Sequence, residues 1–197
     1  MNIKTMRIGS YQTNCYMVYN DGSDRCILID PGYEPEWLLE QAFHEGKKIE
    51  AILLTHGHFD HVGGVKHIAA ETGCRVYICK EDLDLNPMIT DGVIYYTDVY
   101  ADGDTLELAG LKLRVIQTPG HTPGCVCLVC EDTIFSGDTL FAGTCGRTDL
   151  PGGSSWEMRQ SLTRLAALEG DYRVLPGHGH ESTLEAERRS NPFMQGL

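Results

Sequence analysis

The chain of 197 residues is long enough for one domain with a sizeable hydrophobic core, whereas two domains would each be small. Its formal net charge of −12 argues against broad binding to nucleic acid or to an anionic membrane, because both need a basic face. No segment approaches the roughly 20 apolar residues of a membrane span, and the first residues lack the apolar run of a signal peptide. We therefore expect a single cytoplasmic domain, residues 1–197, that acts on a small molecule.

The first half of the chain alternates strand-like and helix-like segments. Short apolar runs between turn residues predict five strands: 3–8, 15–19, 26–30, 49–54 and 75–79. Apolar side chains at helical spacing predict two helices, 34–45 and 62–72. The first helix is expected to turn four apolar side chains toward the core: Trp37, Leu38, Ala42 and Phe43.

The segment 80–100 has no clear period. Residues 80–85 fit a helical turn. Tyr95, Tyr96 and Tyr100 follow in a loop-like stretch that could cover a site, but half-buried packing is the favoured interpretation.

The second half is richer in strands. Five strands are predicted: 104–108, 111–117, 125–130, 133–136 and 173–176. A helix over 155–168 is expected to bury four side chains: Trp156, Leu162, Leu165 and Leu168. A polar helix over 183–190 follows. Each half thus supplies strands and helices, and two such halves can pack sheet on sheet. We predict an α/β protein, a four-layer αββα sandwich.

Eight Cys residues are present, several of them inside strand-like runs where a thiol packs as a small apolar group. With no secretory signal, reduced thiols are expected. Cys127 and Cys130 have the CxxC spacing of metal sites, but no second pair completes a zinc site, so burial is the expected role.

Histidine and aspartate side chains cluster where predicted strands end. Residues 55–61 (THGHFDH) follow a buried strand and hold four metal-capable side chains: His56, His58, Asp60 and His61. Three more follow later strands: His121, Asp138 and His178. Strand-end loops meet at one edge of a sheet. Seven nitrogen and oxygen donors are too many for one tetrahedral ion and suit two adjacent metals. His44 and His67, on helix surfaces, are expected to be solvated.

The sequence resembles a known family at these same positions. Residues 56–61 match the HxHxDH signature of metallo-β-lactamase-fold hydrolases, and the later donors occur in that family's order. Residues 118–124 (TPGHTPG) and 136–141 (SGDTLF) are similar to the glyoxalase II branch. Three further segments resemble its short single-domain bacterial members of the YcbL type: residues 146–149, 151–153 and 191–193.

The resemblance implies a ligand for each metal position. The first metal would be held by His56, His58 and His121. The second would be held by Asp60, His61 and His178. Asp138 would bridge the two ions, and Asp60 would also orient the attacking hydroxide as a catalytic residue. Zinc is the expected metal, with iron or manganese as alternatives, because nitrogen and oxygen donors admit all three.

A thioester is the implied substrate class. The thiol that leaves has a pKa of about 8.5, so it departs as a thiolate without much help from an acid. Arg147 stands where two-domain glyoxalase II enzymes carry a basic residue that contacts a glutathione carboxylate, which implies an anionic tail. The alternative is that Arg147 only anchors its loop by pairing with Asp149. His180 stands where those enzymes have a substrate-contacting Tyr, and their C-terminal helical domain has no counterpart here. The resemblance therefore implies a thioesterase without naming its thioester.

Two other activities of the fold stay open. Lactonases share the whole ligand set. Persulfide dioxygenases are related oxidoreductases with one iron, and they lack a His at the place of His58. The identity of residue 58 thus favours a dinuclear hydrolase. The sequence makes no prediction of oligomeric state.

Overall fold

A computed structural model describes residues 1–90 and 92–196; Asp91, inside the segment 80–100 discussed above, and Leu197 lie outside the described residues. In chain order the strands are β1 (Asn2–Ile8), β2 (Thr13–Tyr19), β3 (Arg25–Ile29), β4 (Lys48–Leu53), β5 (Arg75–Cys79), β6 (Asp98–Tyr100), β7 (Thr105–Leu108), β8 (Leu111–Gln117), β9 (Val126–Cys130), β10 (Thr133–Gly137), β11 (Leu140–Phe141), β12 (Thr144–Cys145), β13 (Arg173–Pro176) and β14 (Ser182–Thr183). The helices are α1 (Pro35–His44), α2 (Phe59–Val62), α3 (Val65–Thr72), α4 (Pro87–Thr90), α5 (Ser155–Ala166) and α6 (Leu184–Ser190), with a 3₁₀ turn over Lys80–Asp82.

The strands form two large sheets. The first has the order β1-β2-β3-β4-β5-β6, and its last four strands are parallel. The second has the order β14-β13-β10-β9-β8-β7, with one parallel pair between β10 and β13. A separate small hairpin joins β11 and β12.

Alternating side chains on the strands separate three apolar layers. In β3, Ile27 and Ile29 point between the sheets, whereas Leu28 points to the outer face that α1 and α3 cover. In the second sheet, Leu128 faces the first sheet and Cys127 faces α5. The result is the predicted αββα sandwich.

The helices bury narrower stripes than the sequence analysis expected. Leu38 and Ala42 of α1 are buried as predicted, but Phe43 is 79% exposed and Trp37 is 39% exposed. Trp37 and Phe43 are chain neighbours of the buried Leu38 and Ala42, and successive residues of a helix point about 100° apart. Their side chains therefore lie outside a buried face that is only one residue wide. Trp156 of α5 is 71% exposed because it lies two residues before the buried Met158, about 200° around the helix and away from the buried stripe.

The predicted helix over 62–72 is interrupted at Gly63 and Gly64. The turn after β3 packs directly on this point, and the Gly64 N–H donates to the Pro31 carbonyl at 3.0 Å. A Cβ on Gly63 would lie 2.5 Å from the Gly32 carbonyl oxygen. The break lets the chain turn from α2, which carries Asp60 and His61, into α3.

The tyrosines of the segment 80–100 have different environments. Tyr100 belongs to β6, is buried, and donates its hydroxyl to the Leu54 carbonyl, so the packing interpretation holds for it more fully than expected. Tyr95 and Tyr96 are exposed.

None of the helices in residues 1–90 and 92–196 has the length and apolarity that a membrane span requires.

Candidate metal centre

Loops from both sheets meet at one edge of the sandwich. The segment after β4 carries His56 to His61, while the ends of β8, β10 and β13 lead to His121, Asp138 and His178. The loops are joined across the sheets, because Val126 N–H donates to the Thr55 carbonyl at 2.9 Å. Asn14 N–H donates to the Gly177 carbonyl at 2.7 Å and connects β2 to the loop after β13.

Three histidines form the first group of donors: His56, His58 and His121. All are buried, and their donor atoms lie within 4.8 Å of one another. His58 Nδ1 is 2.8 Å from His121 Nε2. His56 Nε2 is buried without any hydrogen-bond partner in the described structure. Buried polar atoms normally have partners, so this orphaned nitrogen fits a metal ligand.

The second group contains Asp60, His61 and His178, again with donor atoms within 4.8 Å of one another. His178 Nε2 lies 3.2 Å from Asp60 Oδ2 and 3.3 Å from His61 Nε2. His178 is the one member of this group that is only partly buried.

Asp138 lies between the two groups. Its Oδ2 is 3.4 Å from His121 Nε2 and 3.6 Å from His178 Nε2. Its Oδ1 is 3.6 Å from His61 Nε2 and has no hydrogen-bond partner. One carboxylate thus reaches donors of both groups. The cluster is able to form a dinuclear metal site.

Outer hydrogen bonds fix the orientation of several donors. His121 Nδ1 donates to the Arg147 carbonyl at 2.8 Å, which leaves Nε2 free to face Asp138. His61 Nδ1 is 2.9 Å from Asp30 Oδ2. Asp60 Oδ2 accepts from Thr13 Oγ1 at 3.0 Å. Such contacts set the ring orientation and tautomer of metal-binding residues.

Asp30 was not among the residues predicted for the site. Its carboxylate accepts the Thr55 N–H at 2.7 Å and the Thr55 hydroxyl at 2.6 Å in addition to its contact with His61. Asp30 also lies near His56, but its oxygens are already engaged by these donors. We assign it an orienting role. The turn Asp30-Pro31-Gly32 after a strand was the available signal, and it indicated only a turn.

Two histidines of the first group, His56 and His58, are neutral near pH 7 because their pKa values are lowered. Burial, and then the neighbouring His121, lower the pKa of His58 to about 3. Burial and the other imidazoles also hold the pKa of His56 well below its usual value. These rings therefore keep their lone pairs available for a cation at neutral pH.

The second group has the opposite character. Burial lowers the pKa of His61, but Asp138 and Asp30 outweigh it and raise that pKa to about 9. Burial also lowers the pKa of His178, but the hydrogen bond to Asp60 outweighs this effect. The pKa of His178 is therefore raised above its usual value. Burial raises the pKa of Asp60, but the contacts with His178 and His61 hold it below its usual value. In this group the neighbouring carboxylates favour the protonated imidazoles of His61 and His178.

The Lactamase_B model, described as the metallo-beta-lactamase superfamily, matches residues 8–178. The chain belongs to this superfamily. Hydroxyacylglutathione hydrolase GloC of Haemophilus influenzae is 32% identical, over 98% of each chain. The crystal structure of BLEG-1 B3 metallo-beta-lactamase superposes with a TM-score of 0.90 at 33% identity, over 99% of this chain and 100% of that one. TTHA1623, solved in a di-iron-bound form, superposes with a TM-score of 0.84 at 38% identity, over 96% and 99%.

In this metallo-β-lactamase superfamily member, a cavity of about 560 Å³ opens over the donor cluster. Its polar wall includes His58, Asp60, His121, Asp138 and His178, and Arg147 also lines it. The rest of the wall is apolar or aromatic: Tyr11, Phe59, Ile89, Phe141 and Leu150. Tyr11 and Phe59 contact each other edge to face, with ring centroids 5.2 Å apart. A substrate reaching the cluster passes this apolar mouth.

Arg147 and His180 have different positions relative to the cavity. Arg147 lines it, and its guanidinium forms a bidentate pair with Asp149, with distances of 2.7 and 2.8 Å. His180 is exposed, lies 3.5 Å from the Arg7 guanidinium, and is not among the described residues that line the cavity. Of the nine residues predicted for the site, six line this cavity, and His56 and His61 lie within 4.8 Å of lining donors.

Proposed function

We propose that this metallo-β-lactamase superfamily member is a dinuclear metal-dependent thioesterase. The supporting observation is Asp138, whose two carboxylate oxygens each lie within 3.6 Å of donors from a different group. In the proposed centre, one metal is held by His56, His58 and His121, the other by Asp60, His61 and His178, and Asp138 bridges them. Zinc is the proposed metal. Because the relative TTHA1623 was solved with two irons, iron is the alternative to measure, with manganese third.

Two bound divalent cations would supply a hydroxide at neutral pH and polarise the substrate carbonyl. The side chains of the chain position the reactants. Asp60, held by Thr13, would orient the attacking water through its carboxylate. The apolar mouth formed by Tyr11, Phe59 and Phe141 would limit bulk water around the reacting carbonyl.

Thioesters are favoured over amides because of the leaving group. A thiolate has a pKa near 8.5 and departs at neutral pH without a proton donor, whereas an amine leaving group needs one. The relative GloC is described as a hydroxyacylglutathione hydrolase, which agrees with a thioester substrate. We propose that Arg147 contacts an anionic tail at the edge of the cavity. Its pairing with Asp149 means that the tail has to compete with a carboxylate already in place.

His180 was predicted from the resemblance to contact substrate. We keep this as a proposal for long substrates only, since its exposed ring lies outside the cavity wall. A His180→Ala variant should leave turnover of short thioesters unchanged and raise KM only for thioesters with extended tails.

Lactone hydrolysis is the second candidate, because the same donor set and the same carbonyl chemistry would open a lactone ring. A lactone differs in its leaving group, an alkoxide that needs more assistance than a thiolate. The identical centre should therefore hydrolyse lactones more slowly than thioesters.

A single panel of substrates tests these alternatives with the metal content known. It contains acyl-glutathione and acyl-cysteamine thioesters, lactones, a β-lactam because of the relative BLEG-1, and glutathione persulfide with oxygen uptake recorded. The proposal expects the highest kcat/KM on a thioester and no oxygen uptake. Oxygen consumption with persulfide would assign the chain to the dioxygenases, and a lactone or β-lactam preference would assign it to that hydrolase class.

A further inference from the structure

A buried carboxylate lies beside the proposed metal centre without touching any of its donors. Asp82 ends the 3₁₀ turn Lys80–Asp82 after β5, and its side chain is completely buried. Within residues 1–90 and 92–196, no Lys or Arg forms an ion pair with it. A buried carboxylate without a cation requires hydrogen-bond donors, so the question is which groups supply them.

Three donors converge on Asp82 from two loops. Its Oδ2 accepts the Gly57 N–H at 2.7 Å and the Thr122 hydroxyl at 2.8 Å. Its Oδ1 accepts the Gly124 N–H at 2.6 Å. Gly57 lies between His56 and His58. Thr122 follows His121 directly. One carboxylate therefore connects the two loops that carry all three histidines of the first group.

Glycine at 124 lets the carboxylate come this close, and glycine at 57 leaves room for the neighbouring Ile94 side chain. A Cβ on Gly124 would lie 2.6 Å from Asp82 Oδ1, and a Cβ on Gly57 would lie 2.7 Å from Ile94 Cδ1. Neither glycine has a positive φ, so space and not backbone conformation explains glycine at these positions. The loops and Asp82 form one closely packed unit.

The second group of donors has a separate carboxylate. Asp30 contacts His61 and Thr55, while Asp82 contacts Gly57, Thr122 and Gly124. We propose that Asp82 is a positioning residue, a loop clamp that sets the spacing of His56, His58 and His121 and thereby the affinity of the first metal position. This inference rests on the proposed dinuclear centre. It adds a residue that contacts neither metal ligands nor substrate.

The selective effect on one metal distinguishes a positioning role from a purely structural one. Asp82→Asn keeps the shape of the side chain but replaces one carboxylate oxygen by an amide N–H₂ group. That group cannot accept a hydrogen bond from the N–H or hydroxyl donors facing it, so at least one of the three hydrogen bonds is lost. Loss of an outer contact of this kind typically lowers metal affinity about 10- to 100-fold. We expect that decrease for one metal only, with the other bound as in the unsubstituted protein.

The experiment is a competition titration of the metal-free protein with zinc against a chromophoric chelator, which resolves the two affinities. Asp102→Asn is the control: Asp102 also accepts a backbone N–H, from Gln117 at 2.8 Å, but is exposed, pairs with Arg164 and is not part of the cavity wall. The free energy of unfolding of each metal-free variant is measured in urea, and the cobalt(II)-loaded forms are compared by visible absorption. A selective loss of one affinity, with an altered cobalt spectrum, is the expected result.

Two outcomes would overturn the proposal. One is that both affinities in Asp82→Asn equal those of the unsubstituted protein. The other is that both fall together in proportion to a lower unfolding free energy, which would make Asp82 a structural residue. Should Asp82→Asn not fold, Thr122→Val removes one of the three donors and must lower the same affinity by a smaller factor. The metal count of the unsubstituted protein tests the dinuclear centre separately, because it is obtained before any variant is compared.

Discussion

Asp138 is the residue on which the proposed centre depends most. It is 8% exposed, one of its oxygens has no hydrogen-bond partner among residues 1–90 and 92–196, and it lies within 3.6 Å of histidines from both groups. Histidines this close to one another would hold a divalent cation without it, but each cation would then lack the shared carboxylate. In the proposed centre, Asp138 would hold two ions close enough to activate one water molecule.

Replacing Asp138 by Ala should therefore reduce hydrolysis more than loss of an outer hydrogen bond does, by at least about 100-fold in kcat. The matched control is Asp84→Ala, an exposed carboxylate outside the cavity wall, which should leave kcat unchanged. Steady-state kinetics on the best thioester provides the measurement. Near-normal turnover in Asp138→Ala would remove the bridging assignment.

The proton on His61 gives a pH-dependent prediction. Its pKa is raised to about 9 in the metal-free protein, so the ring is protonated at pH 7 and a cation must displace that proton. In the metal-free protein the proton stabilises the fold fully below pH ~6.5, and this contribution is lost as the pH rises through about 9. Calorimetric zinc titrations at pH 7, in buffers of different ionisation enthalpy, should report proton release. If zinc binding released the same number of protons at pH 7 and above pH 9, this assignment would be contradicted.

At the scale of elements, the loop between β8 and β9 is held tightly against α5. Gly120 in this loop has a φ of 141°, and its carbonyl accepts the Ser154 N–H at 2.8 Å. A Cβ there would lie 2.5 Å from the backbone nitrogen of Met158 in α5. The next residue is His121, so the contact between loop and helix positions one of the donors.

Gly120→Ala should lower the free energy of unfolding by about 2–4 kcal/mol, because it combines an unfavourable φ with a clash against helix backbone. Gly103→Ala is the control, since Gly103 has a φ of 86° but open space around its Cβ position; backbone strain alone should cost it about 1 kcal/mol. Urea denaturation of the metal-free proteins compares them. Equal losses in the two variants would show that the contact with α5 contributes nothing.

The sequence predicted the ten strands well, because they depend on local signals. Apolar runs between turn residues marked β4, β8 and β10, and the residues proposed as metal donors lie in the segments after them. The orienting carboxylates were not predicted. Asp30 lies 31 positions from His61, and Asp82 lies 42 positions from Gly124. Only folding brings such pairs together, and half of their donors are backbone N–H groups that carry no sequence signal.

Helix faces were predicted less well, for a different physical reason. Trp37, Phe43 and Trp156 are apolar and lie in real helices, yet they are exposed. Helical periodicity identifies an apolar stripe, but the width that a neighbouring sheet can cover is a property of the packed molecule. The break at Gly63 likewise depends on the turn after β3, which is distant in sequence.

At the scale of the whole molecule, the layer between the two sheets holds the sandwich together and sets the edge where the donors meet. It includes Leu53 from the first sheet and Leu113, Leu128 and Phe135 from the second, all fully buried. Any shift of one sheet against the other would separate His58, on the first sheet's loop, from His121, on the second.

Leu128→Ala should cost about 2–5 kcal/mol of unfolding free energy, because it removes buried apolar volume between the sheets. Val99→Ala, at a side chain 49% exposed, should change it by less than about 0.5 kcal/mol. The same urea curves test the prediction that residues 1–197 form one domain, which expects a single cooperative transition. Two separate transitions, with only one of them sensitive to Leu128→Ala, would contradict it.

The most direct test of the proposed centre is a zinc titration of the metal-free protein during thioester hydrolysis. The account predicts little activity after the first equivalent and a steep rise that is complete at two equivalents per chain. Full activity at one equivalent, or no hydrolysis at two, would contradict a dinuclear thioesterase.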